Sequence, residues 1–422
     1  MHVVVIGAGA FGSWTALWLQ RRGASVTLVE QYGPGNSLSS SGDESRVTRS
    51  AHGPDDHYPL WQRRSLTQWV GLAPDLFVPT GVLWLARTHD GFERQSAETL
   101  SRLGIAHERL DAHALRARYP QISTDDVAWA LYEPEAGVLL ARRAVAATAR
   151  ALSEEGGFVR IGFASVHGAK VFVDGEALDA DAFVFAAGPW LPKLLGEVPG
   201  LEMSVPQQEI IYFATPPGDR RFDAGVHPTW VEYDAAFYGL PSIEGRGFKV
   251  APDWPGPMVD PDRQERRISD ERVEASRAYL RKRFPALADQ PVAEGRVCQY
   301  ELTVDTHFII DRHPTFDGAW VVGGGSGHGF KHAPAVGEYV SALVLGRDAN
   351  QLAPPDDRFA LRPRSAGVGM RTSGAAPVGA LAATPQVPLG RVAKAVDLLD
   401  GATGGSRQDV KTTPPSASAK RS

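Results

Sequence analysis

The chain has 422 residues, 43% of them hydrophobic and 22% charged, an ordinary globular composition with room for roughly two or three domains. Its formal net charge of −5 gives no electrostatic case for nucleic acid or an anionic membrane as partner, and no apolar run is long enough to span a bilayer. Cys298 is the only cysteine, which excludes an intrachain disulfide and fits a reducing cytoplasm better than a disulfide-stapled secreted protein.

Residues 3–6 read as a buried parallel strand, a short β-branched run apolar on both faces. No charged n-region or cleavage site precedes the run, so a secretory signal is not expected. Gly7-Ala8-Gly9-Ala10-Phe11-Gly12 follows, then helical composition over 13–22, a stop at Gly23, and a second strand over 25–29 closing on Glu30. This is the βαβ dinucleotide fingerprint in its required context. Gly7 permits the tight turn, Gly9 lets the backbone approach a pyrophosphate, and Gly12 lets helix and strand pack closely. The helix N-terminus offers unpaired N–H groups and a positive dipole end to the phosphates. Glu30 can accept hydrogen bonds from ribose hydroxyls. The motif alone does not separate NAD from FAD.

Residues 33–49 are polar and turn-rich, with hydroxyl and backbone donors for a cofactor. Arg46 and Arg49 share a face if the stretch is helical, and arginine suits a carboxylate through two parallel hydrogen bonds. The plainer reading is a solvated loop with two surface arginines. Further strands are expected over 127–132, 159–161, 170–173 and 182–188, with a helix over 142–152. The break at Ala186-Ala187-Gly188-Pro189-Trp190 is a strand-to-turn transition where a nucleotide could lie.

Residues 203–295 differ. Runs at 209–214, 229–232, 237–241 and 247–251 suggest antiparallel strands. Residues 269–283 suggest a charged helix with Ser269 as N-cap and Pro285 beyond its end. The stretch reads as an inserted substrate domain. Lys249 stands in an otherwise apolar strand. A lysine is almost never fully buried without a partner or a purpose, so it either faces outward or has a role.

Cys298 lies in Arg296-Val297-Cys298-Gln299-Tyr300, as either a small buried hydrophobe or a covalent anchor. Residues 320–331, Trp-Val-Val-Gly-Gly-Gly-Ser-Gly-His-Gly-Phe-Lys, precede a helix over 336–345 and repeat the order strand, glycine-rich loop, helix. Such a loop lets N–H groups reach a ring system or a developing anion. His328 and His332 have a metal-like spacing, but no third ligand is evident nearby and no catalytic metal is expected. Residues 366–422 turn to Gly, Ala, Pro, Ser and Thr, and a largely disordered tail outside the catalytic core is expected there.

Together these motifs resemble the monomeric sarcosine oxidase and N-methyltryptophan oxidase family of FAD-dependent amine oxidases, within the D-amino-acid-oxidase-like superfamily. The resemblance runs over about residues 1–362. It rests on Gly7 to Gly12 with Glu30, on 42–49, on Tyr238 with Lys249, on Cys298 with Tyr300 and 307–314, and on 325–331. It implies an α/β fold: a Rossmann-like FAD-binding domain (1–80, 138–202 and 296–365) with an inserted antiparallel-sheet α+β substrate domain (81–137 and 203–295).

The resemblance also implies roles. Cys298 falls where the family attaches the flavin covalently, and Lys249 where a lysine activates dioxygen. Arg49 and Lys331 fall where the substrate carboxylate is held. Arg46 and Ser45 fall beside the flavin, Gly325, Gly327 and Gly329 in the loop around it, and Tyr238 and Tyr300 around the substrate. Asp253 departs from the pattern, standing where sarcosine oxidase has an active-site histidine. An anion there disfavours a second carboxylate and favours an extra amine.

The implied activity is oxidation of a secondary amino acid, N-methyl, N-alkyl or cyclic, to an imine, with dioxygen reduced to hydrogen peroxide. The expected partners are a small carboxylate-bearing substrate and dioxygen, with no nucleic acid and no membrane, in a monomer or small homo-oligomer. Alternatives are a dehydrogenase of the same fold with another acceptor, a D-amino acid oxidase, or a flavin-bearing binding protein without turnover. A nicotinamide enzyme leaves Cys298 and Lys331 unexplained.

Overall fold

A six-stranded sheet organises the N-terminal nucleotide motif. The structure is a computed structural model describing residues 1–365, all within one compact unit; the expected tail over 366–422 lies outside the described residues. The strand order is Ile309–Arg312, Ala319–Gly323, Ala182–Phe185, His2–Ile6, Ser25–Glu30, Phe158–Ile161. All neighbours are parallel except the first pair. His2–Ile6 is apolar on both faces because both are covered. Val3 and Val5 enter the core beneath the helices Ala10–Arg21 and Ala333–Val344. Val4 and Ile6 enter a second cluster with Phe183, Phe185 and Val173. The two helices touch closely, since a Cβ on Gly337 would lie 2.5 Å from the Trp14 backbone.

A second sheet has eight strands in the order Val292–Gln299, Gln207–Phe213, Phe248–Pro252, Phe237–Leu240, Thr229–Glu232, Val82–Ala86, Trp129–Glu133, Glu108–Asp111. Its pairings are antiparallel except that of Thr229–Glu232 with Val82–Ala86. Period-two alternation sends Phe248 and Val250 into an apolar core with Trp230, Phe237 and Phe284. Lys249 and Ala251 therefore point to the opposite face. The helix Asp270–Arg283 begins as its sequence dictates: the Ser269 hydroxyl accepts the Arg272 amide at 3.3 Å, with acids in the first turn and bases in the last. Its last residue, Arg283, is fully buried and donates from Nε and Nη2 to Glu232, both at 2.8 Å.

The expected elements are present with shifted ends. The first helix starts at Ala10, with Gly9 as its cap, and not at residue 13. One expectation changes in kind. Residues 46–48 form the strand Arg46–Thr48, paired with Gly137–Leu139, so Arg46 and Arg49 do not share a helical face.

Candidate active site

A cleft of about 450 Å³ opens at the C-terminal ends of the parallel strands, where His2–Ile6 is flanked by Ser25–Glu30 on one side and Ala182–Phe185 on the other. Its walls include Gly7, Gly9, Glu30, Arg46, Tyr300 and Glu301, with Gly325, Gly327 and Gly329. Gly7 has φ +104°, and a Cβ there would sit 2.5 Å from the Ala186 carbonyl oxygen. A Cβ on Gly12 would strike the Gly7 oxygen at 1.8 Å, so Gly12 serves packing. At Gly9 the nearest atom to an added Cβ is Ser41 Oγ at 3.5 Å. That position keeps the helix end open for a ligand to approach the backbone. Glu30 Oε2 accepts the Ala8 amide at 2.8 Å. Burial raises its carboxyl, opposed by the amides of Ala8, Tyr32 and Gln31. A turn stripped of side chains, a helix N-terminus and a placed acid fit a dinucleotide such as FAD.

Beside this cleft lies a buried cation network built on Asp43. Lys249 Nζ donates to Asp43 Oδ2 at 2.8 Å and to the Ser45 carbonyl and Oγ, each at 3.1 Å. Arg46 donates to the same Asp43 oxygen and to the Ser40 carbonyl at 2.7 Å. Lys249 and Asp43 are 1% and 3% exposed, so the outward-facing lysine of the sequence reading is overturned. Although burial opposes the charge, Lys249 and Arg46 hold the Asp43 carboxyl well below the usual range. The pair is ionic. Cys298 Sγ is buried 3.7 Å from Arg46 Nη2. Burial pushes its thiol up while Arg46 pulls it down. Tyr238 shares the face of Lys249, one strand away, and Asp253 accepts from the Tyr300 hydroxyl at 3.4 Å.

A second cluster gathers Arg49 and Lys331, 9% and 3% exposed. Arg49 donates to the Ala51 carbonyl and stacks 4.9 Å over Trp84. Lys331 Nζ donates to the His328 carbonyl at 2.7 Å. Glu133 accepts the Ser50 and Ala51 amides and Trp84 Nε1, and lies close enough to attract both cations. Burial, then the charge of Arg49, lowers Lys331 far below its usual value. His52, His328 and His332 close the cluster, with one nitrogen from each within 4.8 Å of the others. His52 is thus the third histidine that spacing could not find. The trio is close enough to share a metal ion, yet the Arg49 guanidinium beside the rings opposes a dication, and burial first, then the neighbouring basic groups, depresses all three rings.

The structure therefore sorts the sequence candidates into three places. Gly7, Gly9, Glu30, Gly325, Gly327 and Gly329 line the cleft, as do Arg46 and Tyr300. Lys249, Ser45, Arg46, Cys298 and Tyr238 surround Asp43. Arg49 and Lys331 sit with the histidines. Sequence reasoning assigned no role to Asp43, His52, Glu133 or Glu301. Asp43 alone had a visible signal, an acid three residues from Arg46.

The monomeric sarcosine oxidase of Streptomyces avermitilis is 32% identical over 373 residues, 84% of this chain and 97% of that one. The N-methyl-L-tryptophan oxidase of Salmonella dublin is 26% identical, covering 82% and 95%. The fold is similar to the crystal structure of a modified fructosyl peptide oxidase from Aspergillus nidulans, with TM-score 0.76 and 20% identity over 88% of this chain and 96% of that one. The model of the family described as FAD dependent oxidoreductase matches residues 2–343, a span that takes in both large sheets and every wall of the cleft. The chain belongs to the FAD dependent oxidoreductase family.

Proposed function

We propose that this enzyme oxidises the C–N bond of a secondary amino acid to an imine and passes the electrons to dioxygen, giving hydrogen peroxide. The carrying observation is the buried charge around Arg49: two basic side chains, Arg49 and Lys331, share one nearby carboxylate, Glu133. A substrate carboxylate brought against these two side chains would accept their hydrogen bonds and be held with its Cα fixed, an orientation effect. The relatives named for sarcosine and N-methyl-L-tryptophan, both secondary amino acids, support this choice of substrate class.

FAD held by residues 7–12, Glu30 and residues 325–329 would supply the redox chemistry, as acceptor of a hydride from the substrate Cα and donor of two electrons to dioxygen. The chain does the rest. Residues 7–12 and 325–329 shape the cleft, and Glu30 serves its ribose end. Arg46 and Tyr300 reach the cleft wall from the Asp43 network. The Lys249 ammonium, kept charged by Asp43, stabilises negative charge developing on dioxygen. Cys298 is the proposed covalent tether. The three neutral histidines and Trp84 keep water from the carboxylate site. Asp253, at the Tyr238 and Tyr300 side, favours a substrate with an added amine or a bulky N-substituent over sarcosine. The six-stranded sheet marks the cofactor domain and the eight-stranded sheet the substrate domain. No described helix is long and apolar enough to cross a membrane; a cytoplasmic site is proposed from the lone cysteine.

An anaerobic screen of N-methyl, cyclic and D-amino acids for flavin bleaching tests the reading, followed by peroxide assay in air. Bleaching by a secondary amino acid with peroxide formed supports it. Bleaching without peroxide points to a dehydrogenase, and no bleaching by any amine removes the enzymatic claim.

A further inference from the structure

Glu301 follows the strand Val292–Gln299 by two residues and lines the cofactor cleft. Its carboxyl fills the space between two strand-end turns. Oε1 accepts the Gly325 amide at 3.1 Å. Cβ atoms on Gly188 and Gly323 would come 3.5 and 3.6 Å from Oε2. A Cβ on Gly325 would press on Oε1 at 2.8 Å. The absence of a side chain at Gly325 is what admits the carboxyl, and Gly188 and Gly323 pack beside it at ordinary contact distance. Oε2 itself is buried and has no hydrogen-bond partner among the described residues.

A buried carboxylate with an orphan oxygen and no cation is costly. The neutral acid is far cheaper, and it carries an O–H that must find an acceptor. We propose that Glu301 is a cofactor-binding residue that, as the neutral acid, donates a hydrogen bond from Oε2 to an acceptor atom of the FAD in the cleft. The inference rests on the family's cofactor and not on the amine substrate.

The electrostatics agree. Burial lifts the Glu301 carboxyl to about 7, opposed only by the amides of Gly325 and Gly324. Segments 186–190 and 323–327, packed against it, hold no titratable side chain. On its own segment, Tyr300 turns its hydroxyl to Asp253. The charged groups elsewhere on the cleft wall are engaged: Glu30 by Ala8, Arg46 by Asp43, and Lys193 by Asp260 and Asp262. Below about pH 7 the donor is present. Above it the hydrogen bond is lost and a negative charge appears beside the cofactor.

The experiment is a pH titration of the visible flavin spectrum of the substrate-free holoenzyme, from about two units below to two units above that value. The expected result is a one-proton transition near pH 7 that Glu301→Gln abolishes, leaving the acid-form spectrum throughout. A flat wild-type spectrum, or a transition that survives in Glu301→Gln, overturns the proposal. Should the variant fail to retain flavin, infrared difference spectra of the wild-type holoenzyme decide. A carboxylic-acid carbonyl band that shifts when dithionite reduces the flavin supports the assignment, and no such band overturns it. None of these readouts uses an amine, so they stand or fall apart from the substrate reading.

Discussion

Asp43 Oδ2 accepts a hydrogen bond from Lys249 Nζ at 2.8 Å across 206 residues of sequence, and both side chains are almost wholly removed from solvent. The same carboxylate oxygen accepts from Arg46, whose guanidinium in turn reaches the Cys298 sulfur. One anion thereby orders the proposed oxygen-activating cation, the cation proposed to lie beside the flavin and the proposed tether.

Lys249→Met is expected to slow reoxidation of the reduced flavin by dioxygen about 10²- to 10³-fold, the usual consequence of losing one preorganised charge-stabilising donor. Reduction by substrate should change far less. Stopped-flow measurement of the two half-reactions separates them, and equal effects on both would remove Lys249 from the oxygen step.

Arg49→Ala should weaken simple carboxylate inhibitors about 10- to 100-fold, as expected for losing a charged hydrogen-bonding partner. The wild-type affinity should also depend on pH. Lys331 is depressed in the free site, and a bound carboxylate favours its ammonium form. Between the free and bound pKa values, binding takes up a proton, so affinity falls by up to about tenfold per unit as pH rises. Spectral titration with an inhibitor that carries no amine measures this, and pH-independent binding would count against Lys331 as part of the clamp.

Acid-precipitated protein should remain yellow, and Cys298→Ser should release its flavin into the supernatant. The raised thiol of the free chain makes spontaneous ionisation unfavourable, so Arg46, close to Sγ, is expected to assist attachment. Arg46→Ala is predicted to slow flavin incorporation into apoprotein. Flavin removed by acid from wild-type protein would end the tether claim.

Stability should depend on the pair that joins Thr229–Glu232 to the end of Asp270–Arg283. Both Glu232 and Arg283 are fully buried, so Glu232→Ala leaves a buried guanidinium with fewer partners. A loss of about 3–5 kcal/mol is expected, read as a lower denaturant midpoint. Replacing both residues with apolar ones should recover part of it, since the buried guanidinium is then gone, although Arg87 and the Tyr279 hydroxyl lose the acceptor they share.

Several parts of the site are legible in the sequence. The order Gly7, Gly9, Gly12, Glu30 carries its own geometry, because strand, turn, helix and strand are neighbours in sequence and each local preference supports the next. The glycines of 325–329 are legible for the same reason. Lys249 shows where such reasoning stops. Alternation correctly sets it on the face opposite Phe248 and Val250, and a strand lysine on that face is ordinarily wet. Only the arrival of the 43–45 loop buries it, and the loop's position is a long-range fact. Arg46 and Arg49 mislead in another way: their helical spacing carries no weight once Arg46–Thr48 pairs with Gly137–Leu139.

By itself, then, the sequence determined the nucleotide motif, the doubly apolar run of the parallel strand at 3–6, the alternation around Lys249 and the isolation of Cys298, all consequences of composition, short-range sterics and apolar periodicity. Tertiary structure decided which charges meet: Asp43 with Lys249, Glu133 with Arg49 and Lys331, and Glu301 with no cation among the described residues. Electrostatics acts through space and depends on burial, and both are set only when segments hundreds of residues apart pack together. Cys298 lies beside Arg46 for that reason, and its chemistry belongs to the fold and not to its place in the chain.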